Sequence, residues 1–332
     1  MLNIILAGDA GATKTELALC RVGNGKISIM HSEKFSSRNY PSLDVIIKEY
    51  LSKQNISVDS ACIGAPGPKI KGKIISTNLP WILDEKKLSR DLKIKNFKLL
   101  NDLEALACSI EYIEKKDLTT LHKGKVTKTK SNIAVIAPGT GLGQAALIYD
   151  HHIKKYHIVP TEGGHTDFAP DNDLEYGLNK FLKKRYGHVS WERVVSGMGI
   201  VNIFDYLEST RKYKTGIELK ERFRNEDKAS VISSEAKTGK NGICNAVMNI
   251  FVSALGRQTA NMVMNFKATG GVYLGGSIPI ENVSLMKSKI FLSSFLNKGR
   301  LSYLSEMTPV YIINDRYSAV KGAAYFADTE PE

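Results

Sequence analysis

Asn101 and Asp102 follow a predicted buried strand that spans about Phe97 to Leu100, and they open a predicted helix. An ionisable group at the carboxyl end of a strand in an α/β sheet often points into a ligand cleft. From there the Asp102 carboxylate could accept the proton of a hydroxyl group that attacks phosphorus. Asn and Asp are also preferred helix caps, so a purely structural role explains the pair equally well.

Two glycine-rich turns could bind phosphate. The first is Gly8-Asp9-Ala10-Gly11-Ala12-Thr13, and the second is Gly139-Thr140-Gly141-Leu142-Gly143. In the first, backbone N–H groups and the Thr13 hydroxyl could hold phosphate oxygens, and Asp9 could hold Mg²⁺ directly or through water. The second has the glycine density that allows close backbone approach, but it is neither a Walker A loop nor a dinucleotide-binding fingerprint. A plain hairpin explains either turn by itself.

A third glycine segment, Gly270-Gly271-Val272-Tyr273-Leu274-Gly275-Gly276, ends in a glycine pair. Gly275 and Gly276 could let a flat adenine ring approach the backbone. An ordinary strand-to-helix turn is an equally good interpretation of this segment by itself.

Glu162-Gly163-Gly164-His165, with Asp167 close by, places a carboxylate and an imidazole on one loop. These groups could accept from and donate to neighbouring hydroxyls of a small polyol. A Glu-x-x-His pair on a helix could ligate a metal instead, although the two glycines disfavour a helix here, and a surface loop is a third interpretation. Downstream, Ser190 is predicted to cap a helix, so Glu192 in its first turn either contacts a ligand or complements the helix dipole.

Strands and helices alternate along the chain, which indicates an α/β protein. The stretch VIAPGTGLGQAALI repeats the strand, glycine turn and strand of ILAGDAGATKTELAL. This echo predicts two copies of one α/β unit that face each other across a cleft, each with a phosphate-binding turn. The charged stretch from Glu111 to Lys130 is predicted to be a linker, and a helix is predicted from Trp191 to Val195.

The bulk properties restrict the class of protein. The chain has 332 residues, 42% hydrophobic and 24% charged, which is typical of a folded protein of one or two domains. No segment is apolar for long enough to cross a membrane and no signal peptide is apparent, so we expect a cytoplasmic protein without a membrane partner. The net charge of +12 comes from scattered lysines without a nucleic-acid motif, so we expect a solvated surface and no nucleic-acid partner. The four cysteines lie far apart and predict neither a disulfide framework nor a zinc site.

The chain resembles the bacterial-type glucokinases of the sugar kinase, actin and Hsp70 ATPase superfamily. The resemblance covers nearly the whole chain and is most specific in TEGGHTDFAP and GHVSWERVVSGMG. It implies a two-domain RNase H-like α/β fold, with a cleft between a small domain (1–112 plus 315–332) and a large domain (113–314). It also implies ATP and Mg²⁺ as cofactors, glucose as substrate, and a homodimer. Domain closure would exclude water, so that the sugar receives the phosphoryl group.

The resemblance also implies a role for each motif. Asp102 would be the general base. The sugar would be bound by Asn78, Asn101, Asp102, Glu162, His165 and Glu192. ATP would be bound by Gly8, Asp9, Gly11, Ala12, Thr13, Gly139, Thr140, Gly141, Gly275 and Gly276, with Mg²⁺ at Asp9.

The chain departs from the family pattern at several positions. Ala12 replaces a usual glycine, which would be costly if that residue needed a positive φ. Lys14 stands where Asn is common, Thr161 replaces a usual glycine before Glu162, and Met198 replaces a usual proline. The Cys-x-Cys zinc motif of the related repressor-kinase family is missing, so we predict no structural zinc.

Three functions compete. The first is an ATP-dependent glucokinase that phosphorylates the 6-hydroxyl of glucose. The second is a kinase for another hexose, such as mannose, fructose or an amino sugar, and polyphosphate is an alternative donor in either case. The third is a non-catalytic sugar-sensing regulator, which we disfavour because the first strand begins close to Met1 and because Asp9 and Asp102 are retained.

Overall fold

A computed structural model of the protein describes residues 3–23, 26–75, 81–125 and 129–329. Its strands are β1 (Asn3–Ala10), β2 (Lys14–Gly23), β3 (Lys26–Ser36), β4 (Ser60–Ala65), β5 (Lys69–Ile70), β6 (Lys73–Ile75), β7 (Ile82–Asp84), β8 (Asn96–Asn101), β9 (Leu118–His122), β10 (Ile133–Pro138), β11 (Leu142–Asp150), β12 (Lys155–Thr161), β13 (Gly271–Leu274) and β14 (Val310–Ile313).

Its helices are α1 (Leu43–Gln54), α2 (Glu85–Leu92), α3 (Asp102–Ser109), α4 (Asp173–Tyr186), α5 (Gly197–Ser209), α6 (Ile217–Asn225), α7 (Lys228–Thr238), α8 (Gly242–Phe266), α9 (Ser277–Glu281), α10 (Val283–Met286), α11 (Lys289–Leu296), α12 (Ser302–Met307) and α13 (Ser318–Thr329). Single 3-10 turns occur at Ser37–Asn39, Ile110–Tyr112, Lys115–Asp117, Gly163–His165, Trp191–Arg193 and Gly299–Leu301. The alternation of these elements confirms the predicted α/β class.

The chain forms two compact units. The first contains Met1–Leu118, Ile158–Pro160 and Asp315–Glu332, and the second contains Thr119–His157 and Thr161–Asn314. The chain passes from one unit to the other four times, at Leu118–Thr119, His157–Ile158, Pro160–Thr161 and Asn314–Asp315. The Thr119 and Asn314 side chains hydrogen-bond to each other within the second unit at 3.1 Å.

The first unit is built on a five-stranded sheet of order β3-β2-β1-β4-β8. β1, β4 and β8 run parallel, and β2 and β3 are antiparallel additions at one edge. The parallel strands are apolar on both faces, as expected for strands covered on both sides. Leu6 and Ile63 pack on one face of the sheet, and Ile5 and Cys62 pack on the other against α13.

The second unit contains a six-stranded sheet of order β12-β11-β10-β13-β14-β9. β10 pairs antiparallel with β11 and parallel with β13, which repeats the pairing of β1 with β2 and β4. The two strand–turn–strand segments noted in the sequence therefore have the same place in two sheets of the same local topology. α8, which is buried along most of its length, packs on this sheet. The helices α5, α7 and α11 pack against α8.

Two secondary-structure predictions were wrong. The stretch from Glu111 to Lys130 is more than a linker, because it contains the edge strand β9, whose Leu121 packs on the core of the second unit. The lysines on either side of this strand obscure its short apolar pattern. The segment predicted as a helix at Trp191 forms only a 3-10 turn, Trp191–Arg193, and the next helix, α5, begins separately at Gly197. In the described ranges, no helix is long and apolar enough to cross a membrane.

Candidate active site

Three neighbouring parallel strands of the first unit end at one edge of its sheet. Asp9 of β1 pairs with Gly64 of β4, and Gly64 pairs with Leu100 of β8. Asn101 is the last residue of β8, and Asp102 begins α3. Asp9 and Asp102 therefore lie at the same edge, where the carboxyl ends of parallel strands form ligand sites in α/β proteins.

Gly64 is buried beside the first turn of α3. A Cβ atom at Gly64 would lie 3.7 Å from the Cα of Asp102, 3.7 Å from the carbonyl oxygen of Gly8 and only 3.2 Å from the Cβ of Ala105. A side chain here would crowd the first turn of α3. Sequence reasoning missed this residue, and the available signal was a glycine at the end of a buried strand.

The surroundings of Asp9 disfavour the charged form of its carboxyl group. Burial, followed by the negative charges of Asp102 and Glu16, raises the pKa of the Asp9 carboxyl from 3.8 to about 7. Glu16 lies opposite Asp9 in the antiparallel pair of β1 and β2, and its carboxylate is 3.5 Å from the Lys34 ammonium. These mutually repelling carboxylates would be relieved by a cation.

The surroundings of Asp9 fit Mg²⁺. In the described part of the chain, no group of three or more His, Cys, Asp and Glu side chains could enclose a metal ion. Mg²⁺ does not need such an enclosure, because it binds through one or two carboxylates and keeps several waters.

Asn101 is the N-cap of α3. Its Oδ1 accepts a hydrogen bond from the Leu103 N–H at 2.9 Å, and Glu104 Oε2 accepts one from the Asn101 N–H at 2.9 Å. The Asn101 Nδ2 also donates to the Gly67 carbonyl at 3.1 Å. This capping box fixes the start of α3, and it thereby places Asp102 in the first turn. Asn101 is therefore a helix cap, as one of the two interpretations of the sequence held. The role of Asn101 in sugar binding stays a prediction.

The first glycine turn is held by a residue that sequence reasoning missed. The Gly11 N–H donates to the Lys14 carbonyl at 2.9 Å. The buried Ser37 hydroxyl donates to the Gly11 carbonyl at 2.7 Å, and the Ser37 N–H donates to the Thr13 carbonyl at 3.0 Å. Among the described residues with a positive φ, neither Gly11 nor Ala12 occurs, so alanine at position 12 causes no backbone strain.

Gly8 differs from the rest of this turn because it is part of β1. A Cβ at Gly8 would lie 2.7 Å from Leu17 Cδ2 and 2.8 Å from the Glu16 carbonyl oxygen. Its lack of a side chain is therefore explained by packing. Thr13, by contrast, is exposed at the tip of the turn.

The second glycine turn, in the second unit, meets the start of a helix. The Gly139 N–H donates to the Gly141 carbonyl at 2.9 Å, which closes the turn, and Thr140 is exposed at its tip. The N–H of Gly197, the first residue of α5, donates to the Gly139 carbonyl at 2.8 Å. The partial positive charge of a helix N-terminus favours anions, so this neighbourhood suits a phosphate group.

Gly275 and Gly276 lie against the same hairpin. The Gly275 N–H donates to the Ile136 carbonyl at 2.9 Å. Gly276 has a φ of 81°, and a Cβ there would lie 2.6 Å from the Pro138 carbonyl oxygen. Only glycine fits that conformation and that space without strain. The turn, the glycine pair and the start of α5 are therefore one cluster in the second unit.

Glu192 is part of this cluster as well. Its Oε2 accepts a hydrogen bond from the Leu142 N–H at 2.9 Å. A Cβ at Gly141 would lie 2.5 Å from that oxygen, so the carboxylate occupies the space that Gly141 leaves free. The structure thus brings a predicted sugar ligand into contact with a predicted phosphate turn.

The Glu162–His165 loop is a single 3-10 turn with Glu162 as its N-cap. Glu162 and His165 have exposed side chains, 67% and 62% respectively, and their Oε2 and Nε2 atoms lie 4.0 Å apart. The turn packs tightly on β11, because a Cβ at Gly164 would lie 2.1 Å from the Leu142 carbonyl oxygen. Both side chains therefore face outward from a closely packed backbone.

The two specific sequence motifs are joined to each other. The Trp191 N–H donates to the Thr166 carbonyl at 3.0 Å, and the Phe168 N–H donates to the Val189 carbonyl at 2.9 Å. The Phe168 and Trp191 rings meet edge to face at 5.1 Å. These contacts hold the loop that carries His165 beside the turn that carries Glu192. Asn78, the remaining predicted sugar ligand, lies outside the described residues.

Comparison with known proteins gives a consistent result. A family model described as glucokinase matches residues 6–330. The chain is 34% identical to a glucokinase of Trichormus variabilis, with 98% of this chain and 99% of the relative covered. It is 32% identical to a glucokinase of Psychromonas ingrahamii, with 98% and 97% covered.

Solved structures agree. A glucokinase from an Antarctic psychrotroph superimposes with a TM-score of 0.86 at 28% identity and covers 99% of this chain and 100% of its own. A ROK family glucokinase from Streptomyces griseus, solved in complex with glucose and AMPPNP, has a TM-score of 0.64 at 17% identity over 99% and 100% of the two chains, which shows a shared fold. The predicted actin-like ATPase fold is therefore confirmed, and the chain belongs to the glucokinase family, the ATP-dependent kinases that phosphorylate glucose.

Proposed function

We propose that this member of the family transfers the γ-phosphoryl group of ATP to the 6-hydroxyl of glucose, with Asp102 as the general base. The observation that carries the assignment is the place of Asp102. It stands in the first turn of α3, at the edge of the sheet where β1, β4 and β8 end, and across Gly64 from Asp9. A carboxylate here lies close enough to a second acidic group, Asp9, to raise the pKa of that group.

The proposed reaction is an in-line displacement. As the sugar oxygen approaches the γ-phosphorus, its proton moves to the Asp102 carboxylate. The new O–P bond forms, the bond from the γ-phosphorus to the β–γ bridging oxygen breaks, and ADP leaves. Such transfers depend chiefly on positioning and on neutralising phosphate charge.

Phosphate charge would be met by backbone donors and a cation. The turn at Gly11 and Thr13 would bind phosphate in the first unit, and the turn at Thr140 with the start of α5 would do so in the second. Mg²⁺, when bound, neutralises charge on the phosphate oxygens. We propose that Asp9 holds this ion directly or through water, because a cation would relieve the repulsion that raises the Asp9 pKa to about 7.

Sugar hydroxyls would be bound by polar side chains of both sequence motifs. Glu162 and Glu192 would accept hydrogen bonds, and His165 would accept or donate. Asn101 has one further amide hydrogen and one further lone pair beyond its capping bonds. Asn78 and Gly276 keep the roles that the resemblance implies, in sugar and adenine binding respectively.

The wider setting follows from this chemistry. We propose a homodimeric enzyme of the cytoplasm that supplies glucose 6-phosphate to glycolysis. ATP is a cytoplasmic substrate, and the four cysteines are all buried thiols that form no disulfide with one another, which suits a reducing compartment.

A coupled ADP-release assay over a panel of hexoses tests the proposal. We expect turnover with glucose, and a loss of at least a hundredfold in kcat for both Asp102→Ala and Asp102→Asn. Asp91→Asn is the matched control, because Asp91 is a carboxylate of the same unit that pairs with the exposed Arg90 at 2.9 Å. Undiminished turnover in both Asp102 variants would refute the base assignment.

Substituting the substrates separates the alternatives. Faster turnover with mannose, fructose or an amino sugar would reassign the substrate, and turnover with polyphosphate in place of ATP would reassign the donor. Sugar binding without turnover on any hexose or donor would favour the regulator.

A further inference from the structure

The backbone of the Glu162–His165 turn is held by contacts that have no part in the roles described so far. Both side chains are largely exposed, at 67% and 62%. Within the described part of the second unit, the two side chains form an ion-pair contact with each other at 4.0 Å. Their positions before the sugar arrives therefore depend on the backbone of the turn.

Thr161 fastens this backbone at its entry. The Thr161 hydroxyl donates to the carbonyl of Gln144 at 3.2 Å and accepts from the N–H of Gly163 at 3.2 Å. Gln144 is fixed within β11 by its pairing with Ile136 of β10. Thr161 is the last residue of β12, which pairs with β11, and its hydroxyl adds a side-chain link between the turn and that neighbouring strand. The resemblance places glycine at position 161, and glycine has no hydroxyl that could make these two bonds.

The Gln144 side chain reinforces this arrangement. It is 3% exposed, and a Cβ at Gly163 would lie 2.3 Å from its Oε1. Its Nε2 is buried without a hydrogen-bond partner among the described residues. Burying such a donor is costly, and the side chain nevertheless fills the space directly beneath the turn. The side chain therefore supplies close packing under the turn at the cost of one unsatisfied hydrogen-bond donor.

The exit of the turn is fastened independently. The Thr166 hydroxyl donates to the Gly163 carbonyl at 2.8 Å, and the Trp191 N–H donates to the Thr166 carbonyl at 3.0 Å. Removing the Thr161 hydroxyl would therefore loosen the entry, next to Glu162, while the connection to the Glu192 segment remains.

We propose that Thr161, with Gln144 beneath it, is a positioning residue that preorganises Glu162 and His165 for the sugar. The inference rests on the proposed function, because it assigns this turn to sugar binding. Preorganisation strengthens binding by removing the entropic cost of ordering the turn when the ligand arrives. The hydroxyl is engaged with the backbone of Gln144 and Gly163, so its loss should weaken glucose binding indirectly and leave the chemical step and ATP binding nearly unchanged.

Thr161→Val tests this, because valine keeps the branched shape and lacks the hydroxyl. We expect the Kd and KM for glucose to rise about tenfold, which corresponds to about 1.4 kcal/mol. The KM for ATP and kcat should change less than twofold. Thr161→Ser, which restores a hydroxyl, should recover most of the glucose affinity. Thr210→Val is the matched control, because the Thr210 hydroxyl likewise donates to a backbone carbonyl, that of Leu207, and accepts from a backbone N–H, that of Lys212, but at the end of α5.

Glucose binding can be measured without turnover. Trp191, which is 4% exposed and packs on Phe168, should report glucose through its fluorescence. An unchanged glucose Kd in Thr161→Val would refute the inference. Equal losses for glucose and ATP, together with a lower Tm that Thr161→Ser does not restore, would show a purely structural role and also refute it. If the wild-type protein neither binds nor phosphorylates glucose, the proposed function itself fails.

Discussion

Asp9→Asn should make the protein more stable while it abolishes activity. The pKa of the Asp9 carboxyl is raised from 3.8 to about 7, because burial and the neighbouring carboxylates of Asp102 and Glu16 disfavour its charge. An acid with a raised pKa binds more protons in the folded state than in the unfolded state between these two values. The stability of the wild-type protein is therefore reduced progressively as the pH rises from about 4 to about 7, and the whole penalty is present above pH 7.

The size of the effect follows from the shift. One pH unit corresponds to about 1.4 kcal/mol, so the full shift is worth on the order of 4 kcal/mol. Asp9 is half-buried, and solvent screens part of this cost, so we expect about 2 kcal/mol. The corresponding rise in Tm is about 4 °C.

The assay is thermal or urea unfolding of wild type, Asp9→Asn and the control Asp91→Asn, with chelator, at several values from pH 5.5 to pH 8.5. The gain of Asp9→Asn should be largest at and above pH 7 and should shrink as the pH falls. Adding Mg²⁺ should stabilise wild type more than Asp9→Asn. If Asp9→Asn does not increase stability, or increases it equally at every pH, the electrostatic reasoning is refuted.

Two glycine substitutions test the close packing inside each unit. Gly141→Ala should lower kcat/KM for glucose about tenfold, because its Cβ would lie 2.5 Å from Glu192 Oε2 and displace that carboxylate. An unchanged kcat/KM would show that the position of Glu192 does not matter. Gly322→Ala should destabilise the protein by about 3 kcal/mol in urea unfolding, because its Cβ would lie 1.8 Å from the carbonyl oxygen of Ala105, where α13 packs on α3. Gly242→Ala, which meets no atom within 4 Å, should be neutral in both assays, and a loss there equal to that of Gly322→Ala would contradict the packing argument.

The local patterns in the sequence predicted much of the fold. The apolar run of β1, the span Gly242–Phe266 of α8 and the strand Val310–Ile313 were all readable, because burial on both faces leaves a continuous apolar pattern. The repeat of the strand–turn–strand segment could be recognised in the sequence for the same reason. β9 was not, because a short edge strand beside lysines has little apolar pattern of its own.

The sequence by itself also determined which groups are available for chemistry. It supplied the two carboxylates Asp9 and Asp102, the glycine turns, and the motifs around Glu162 and Glu192. These could be recognised because each is a short run of residue types whose chemistry does not depend on the rest of the chain. Their individual binding and catalytic roles stay predictions until the variants are measured.

Only the tertiary structure decided how these groups are supported. The Glu192 carboxylate meets Leu142 across 50 residues of sequence, and the Ser37 hydroxyl holds Gly11 across 26 residues. The close packing of Gly64 on α3 and the support of Thr161 on Gln144 likewise depend on which elements become neighbours. The physical reason is that a hydrogen bond or a steric gap belongs to a pair of packed elements, so no single stretch of sequence contains it.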